Sequence, residues 1–196
     1  NVNQEIQGTV TIIQDVSCFN GCDGIAQLYS TGGVLQHTYF WDNGQTYFGS
    51  GPDTASNLCF GGHDIIIEDL EGCRKTIQFN IEQPTELFAQ ATIVQPVQCF
   101  GFDDGIAFGT ATGGTPPYAY VWDSINGQSG QNANNLTPGV HVLYVSDSKG
   151  CTAQDTVVIT EPDELSVSID DTMTIYSYCS GTSSGQLCAI ANGGTT

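Results

Sequence analysis

The sequence states nearly the same pattern twice. VSCFNGCDGIAQLYSTGG at Val16–Gly33 returns as VQCFGFDDGIAFGTATGG at Val97–Gly114, and the step of 81 residues from Cys18 to Cys99 is kept from Trp41 to Trp122. Later landmarks keep a step of 78: EDLEGC ends at Cys73 and SDSKGC at Cys151, while IEQPTEL at Ile81–Leu87 returns as ITEPDEL at Ile159–Leu165. A third copy opens with YCSGTSSGQLCAIANGGTT at Tyr178–Thr196. Self-similarity at a fixed period is the signature of a tandem array. The expected divisions are 1–5 as the edge of the window, 6–84 as repeat 1, 85–162 as repeat 2 and 163–196 as the beginning of repeat 3.

Each copy reads as all-β. In the second, strands are expected over Leu87–Val94, Ile106–Thr112, Tyr118–Trp122 and Val140–Ser146, with a last long strand after Cys151. GGTPP at Gly113–Pro117, Pro138–Gly139 and DSKG at Asp147–Gly150 supply the turns. Short strands divided by regularly spaced turn signals predict an immunoglobulin-like β-sandwich of about 80 residues per copy. The linkers EQPTEL and EPDEL are short, and Pro84 and Pro162 restrict them. The expectation is a semi-rigid rod of sandwiches set end to end.

Eight cysteines without a CxxC pair point to disulfides and an oxidising, extracellular setting. Structural zinc is the alternative, and only Cys18 and Cys22 come near ligand spacing. Because Cys99 and Cys151 recur as Cys18 and Cys73, the expected pairs lie within each copy: Cys18 with Cys73 and Cys99 with Cys151. Cys22 and Cys59 vanish together in the second copy, where Asp103 and Thr137 stand, which predicts a bond between them. Cys179 and Cys188 are left without an assigned partner.

Three Lys and Arg against 21 Asp and Glu give a net charge of −18. A nucleic-acid partner is not expected, because too few cations are present to neutralise phosphates. An anionic membrane surface would repel the chain for the same reason, and no membrane insertion is expected.

Calcium is the one cofactor the sequence raises. The DG loop offers Asp103 and Asp104, Asp23 stands at the matching place in the first copy, and Asp147 would join them if Cys99 and Cys151 paired. The loop lacks a dense run of alternating carboxylates, and Asp-Gly is also an ordinary turn pair. No catalytic residue is assigned. His37, His63 and His141 lie in strand-like stretches with no nucleophile beside them, and Asp103–Asp104 is replaced in both other copies. Aromatic clusters at Tyr39, Phe40, Trp41, Tyr47 and Phe48, and at Tyr118, Tyr120 and Trp122, are expected to face the core in part.

Read in order, CFGFDDG, GGTPPYAYVW, NLTPGVHVLYVSDSKGC and VVITEPDEL resemble the SprB repeat family of Bacteroidota cell-surface adhesins, which includes the gliding-motility adhesin. The first copy departs from it at GGVLQHTYFW and NLCFGGHDIII. The resemblance implies an exported protein at the cell surface, carried by type IX secretion and displayed as a filament. This segment would be its stalk, neighbouring repeats its partners, and other parts of the protein would contact an external surface or glycan. The alternative is a carbohydrate-binding module that contacts glycans itself. Asp-Ser/Thr sequences followed by an apolar or small residue fit bacterial O-glycan acceptors of that phylum at Thr54, Ser124, Thr156 and Thr172.

Overall fold

The computed structural model describes residues 4–34, 36–123, 127–170 and 188–195. Every regular element among them is a strand. The chain divides into two compact units. One comprises Asn1–Phe88, Thr112–Tyr118 and Ser146–Thr152; the other comprises Ala89–Ala111, Ala119–Val145 and Ala153–Thr196. The first unit therefore takes in two turns of the second copy, which the division by repeat at residue 84 had placed elsewhere.

The first unit holds β1 (Gln7–Gln14), β2 (Gly24–Thr31), β3 (His37–Trp41), β4 (Thr46–Gly49), β5 (Asp53–Leu58), β6 (Gly61–Glu68) and β7 (Arg74–Ile81). One sheet runs β1-β2-β5 and the other β4-β3-β6-β7, all antiparallel. This division of strands between two sheets is the immunoglobulin arrangement. Period-2 alternation builds it. Ala26 and Leu28 of β2, Tyr39 and Trp41 of β3, and Ile65 and Ile67 of β6 point into one core with Ile6, Val16, Ala55, Leu58 and Ile81. The sheets approach so closely at Gly8 that a β-carbon there would lie 2.6 Å from the Ile67 side chain.

In the second copy the strands are β8 (Phe88–Gln95), β9 (Gly105–Thr112), β10 (Ala119–Trp122), β11 (Asn132–Leu136), β12 (Gly139–Ser146) and β13 (Thr152–Ile159). They form the sheets β11-β9-β8 and β10-β12-β13, the first copy's plan without β4. Gly109 on β9 repeats the close approach, with Leu143 2.6 Å from where its β-carbon would stand. β14 (Ser166–Ile169) and β15 (Ala189–Asn192) pair antiparallel at the start of the third copy.

The cysteines correct the sequence reading. Cys18 is bonded to Cys151, not to Cys73, and Cys73 and Cys99 are exposed free thiols. The reason is strand length. Cys18 follows the end of β1 in a turn whose neighbour Val16 donates to Glu82 O, whereas Cys73 follows β6 in a turn that precedes β7. The eight-residue β7 lies between Cys73 and Glu82 and spans roughly 25 Å. A disulfide needs its α-carbons within about 7 Å. Cys99 and Cys151 are separated in the same way by β13, since Val97 donates to Thr160 O beyond that strand's far end. Cys22 is bonded to Cys59.

Both tryptophans are buried, Trp41 at 3% exposure and Trp122 at 0%. The indole N–H of Trp41 donates to Asp53 Oδ2 at 2.7 Å. That of Trp122 has no hydrogen-bond partner among the described residues. Asp53→Ala leaves the Trp41 donor unsatisfied, and we expect a loss of about 1–3 kcal/mol, read from the urea unfolding midpoint.

Candidate functional site at the repeat junction

Residues that recur between the copies converge on one construction. In its complete form it is built from the linker Thr85–Leu87, the glycine pair Gly113–Gly114, the turn Asp147–Cys151 and the turn that opens at Cys18. The linker comes first. Gly114 N–H donates to Thr85 O at 2.9 Å. Gly113 lies against the Glu86 carbonyl, where any β-carbon would collide with backbone. Both glycines have positive φ, 73° and 56°, so the position excludes other residues on conformation and on space.

Asp147 ties the glycine turn to the cysteine turn. Its Oδ2 accepts from Thr115 N–H at 2.8 Å, and its Oδ1 accepts from Lys149 N–H and Cys151 N–H, each at 2.9 Å. Ser148 closes the same ring by donating its N–H to Thr115 O at 2.9 Å. Burial works to raise the Asp147 pKa, but the N–H groups of Thr115, Cys151 and Lys149 outweigh it and hold the carboxyl below its usual range. Cys151 is thereby presented to Cys18. The opening turn has its own carboxylate. Asp23 Oδ1 accepts from Ser17 N–H at 2.8 Å, and Asn20 N–H donates to Gln83 Oε1 at 2.8 Å. Hydrogen bonds from Ser17 depress the Asp23 pKa, with a smaller contribution from the charge of Lys149. A cleft of about 360 Å³ lies between these turns, lined by Phe19, Glu86 and Leu87 among others.

The front of the first copy repeats the construction. Gly33 N–H donates to Gln4 O at 2.6 Å, Gly32 lies against the Glu5 carbonyl, and Asp69 accepts from Val34, Glu71 and Cys73 N–H. The Val34 bond leads in holding the Asp69 carboxyl low. The third copy supplies the same start: Gly194 N–H donates to Asp163 O at 2.8 Å, and Gly193 lies against the Glu164 carbonyl.

The sequence-derived candidates distribute as follows. Asp104, the counterpart of Asp23, accepts from Gln98 N–H at 3.0 Å, and Asp103 is exposed. Asp147 belongs to the junction, because Cys151 pairs with Cys18, and does not join Asp103 and Asp104 as the expected Cys99–Cys151 bond would have required. Among the described residues no group of three or more His, Cys, Asp or Glu side chains is placed to hold a metal. Thr54 on β5 and Thr156 on β13 are exposed, while Ser124, Thr172 and Cys179 lie outside the described residues. Tyr39 is buried and stacked on Tyr47 with ring centroids 5.9 Å apart, whereas Phe48 is 57% exposed. His37 is buried between Ser30 and Gly32 O. His63 pairs with Asp42 at 2.9 Å; burial lowers its pKa, but the Cys59 carbonyl and Asp42 raise it further, to a net increase. The carboxylate ties of Asp69 and Asp147 were missed in the sequence, although the shared Asp-x-x-Gly-Cys spacing of the two closing turns carried the signal.

The SprB repeat model matches residues 10–46 and 91–127, the corresponding opening part of each full copy. No curated protein matches the chain. Among solved structures, the C-terminal 282-residue fragment of intimin in complex with the translocated intimin receptor intimin-binding domain is similar at 14% identity and a TM-score of 0.39, over 83% of this chain and 66% of that one. A biofilm-associated protein BSP domain is similar at 17% identity and a TM-score of 0.27, over 78% of this chain and 30% of that one. A tetra-tandem repeat from the extending region of a large adhesion protein is similar at 12% identity and a TM-score of 0.28, over 94% and 62%. The chain thus spans less than two thirds of each of these three.

Two outcomes are expected of the junction carboxylates. Asp147→Ala should cost about 2 kcal/mol at neutral pH in urea unfolding. The folded carboxyl titrates below the ordinary value of about 3.9, so its contribution is present above that value and disappears as pH falls through the depressed one; the gap between variant and parent should close on acidification. Asp23, Asp104 and Asp147 already accept from backbone N–H groups, so thermal melts in calcium and in chelator should coincide. A melting temperature several degrees higher in calcium would show that the ion is held.

Proposed function

We propose, from the two SprB repeat matches and a junction built once in full and twice in part, that this chain is a stalk segment of an extracellular adhesin-type repeat array on a bacterial surface. The observation that carries the reading is the junction. Its recurring parts hold one repeat to the next, whereas the Asp103–Asp104 pair of the DG loop is present in the second copy alone. Mechanical continuity is the property such a construction supplies, with adhesive contact made by other parts of a longer protein. Export by type IX secretion, a role in gliding or surface attachment, an extended rod and O-glycans at Thr54 and Thr156 belong to the same proposal. The exposed Tyr47 and Phe48 on β4, a strand absent from the second copy, favour direct glycan contact as the second reading. A glycan screen separates the two: saturable binding lost in Phe48→Ala would support it against the stalk.

The stalk reading is tested by pulling the chain from its ends. The Cys18–Cys151 bond encloses a separation of 133 residues. At ~3.4 Å per extended residue, reductant should release roughly 450 Å of additional length that the oxidised chain withholds. Equal extensions in both states would show that the junction bears no load.

A further inference from the structure

We propose that Cys73 and Cys99 are the open halves of further junction bonds. Cys99 pairs with the closing-turn cysteine of a following repeat, and Cys73 with the opening-turn cysteine of a preceding one. The partner of each is therefore another repeat of this kind. The inference rests on the one complete junction and its two open halves, and holds whether or not the array is adhesive.

The bonded junction is the template. There the opening turn contributes Cys18 and Phe19, the linker Thr85–Leu87, the glycine turn Gly114, and the closing turn Gly150–Thr152. A second cleft is lined by Gln98, Cys99, Phe100, Asp163–Leu165 and Gly194. Position by position these are the opening turn, linker and glycine turn again, with only the Asp-x-x-Gly-Cys turn missing. The third cleft is the complement. It is lined by Gln4, Glu5, Ile6, Gly33, Asp69 and Cys73 among others, which are linker, glycine turn and closing turn without an opening turn.

The details match as well as the outline. Phe102 N–H donates to Cys99 O at 3.1 Å, as Gly21 N–H does to Cys18 O at 2.8 Å. Asp104 holds Gln98 N–H as Asp23 holds Ser17 N–H. Asp69 presents Cys73 through the same N–H bond by which Asp147 presents Cys151. Both thiols are exposed and free, as two halves awaiting partners must be. Cys188 is not the missing partner of Cys99. It stands before β15, whereas Gly194 of the Cys99 cleft follows that strand, which puts roughly 15 Å of strand between them.

The bond forms by thiol–disulfide exchange with a disulfide oxidant, for which glutathione disulfide serves in the test. The Cys99 thiolate attacks one sulfur and releases one glutathione thiolate. The partner cysteine, as its thiolate, then attacks the mixed disulfide at the Cys99 sulfur and releases the second. Two protein thiols are oxidised, and one glutathione disulfide is reduced to two glutathione thiolates, which take up the two thiol protons through water.

Two extended chains test this. One carries a second copy of residues 85–162, with its own Cys99 replaced by Ser, inserted after Pro162; the other carries an unaltered copy directly ahead of Gln4, which keeps the linker register. Each is refolded with glutathione disulfide, alkylated with iodoacetamide and mapped by mass spectrometry without reduction. In the first chain Cys99 should be recovered bonded to the Cys151 of the inserted copy, and in the second Cys73 bonded to the Cys99 of the leading copy. Alkylation of the paired residue should fall by roughly tenfold or more relative to the original chain, because a bonded sulfur presents no thiolate. Replacing Cys99 with Ser (Cys99→Ser) in the first chain should leave the inserted copy's Cys151 alkylated. The internal Cys22–Cys59 peptide reports folding in each chain, and the two extensions are independent of one another. Cys99 still alkylated in the first chain or Cys73 still alkylated in the second, with Cys22–Cys59 formed, or either bonded to Cys179 or Cys188, overturns the proposal.

Discussion

A buried carboxylate organises each closing turn. Asp147 accepts three backbone N–H groups drawn from two separate turns, and Asp69 does the same at the front of the chain. Charged acceptors make the stronger hydrogen bonds, and these are nearly out of water. Without the carboxylate, only the Ser148 bonds to Thr115 O would tie the glycine turn to the cysteine turn. Three features follow from it: the glycine pair stays seated on the linker carbonyl, the linker keeps one path, and the cysteine faces outward where a neighbour's sulfur can reach it.

Much of the fold was legible because it rests on local alternation. YAYVW and VHVLYVS read as strands, and the strands lie at Ala119–Trp122 and Gly139–Ser146. β5 and β11 were not legible. DTASNL and NANNL are polar, and Asn57 and Asn135 take φ of 57° and 54°, which shifts the register where each meets its neighbour. Their place is set by the tertiary fold, as edge strands beside β2 and β9, and not by any period of their own.

The cysteine pairing failed for a different reason. A repeated cysteine pair looks the same in sequence whether it closes within a copy or between copies. What decides is which end of the sandwich each turn occupies. Cys18 lies by the Glu82 end of β7 and Cys99 by the Thr160 end of β13, while Cys73 and Cys151 stand just ahead of those strands. The junction itself was half legible: the glycine doublets announced turns, while the linker carbonyls beneath them are distant in sequence and gave no sign.

The bond between Cys18 and Cys151 alters what it means to cut this chain. In an uncrosslinked string of domains, one cleaved peptide bond frees everything beyond it. Here any single nick between those two cysteines leaves both fragments covalently joined, and a nick between Cys22 and Cys59 is bridged twice. A chain made this way is not severed by a protease at one exposed loop between Cys18 and Cys151. Its loops are therefore free to vary in sequence, since accessibility at any one of them no longer decides whether the molecule stays whole.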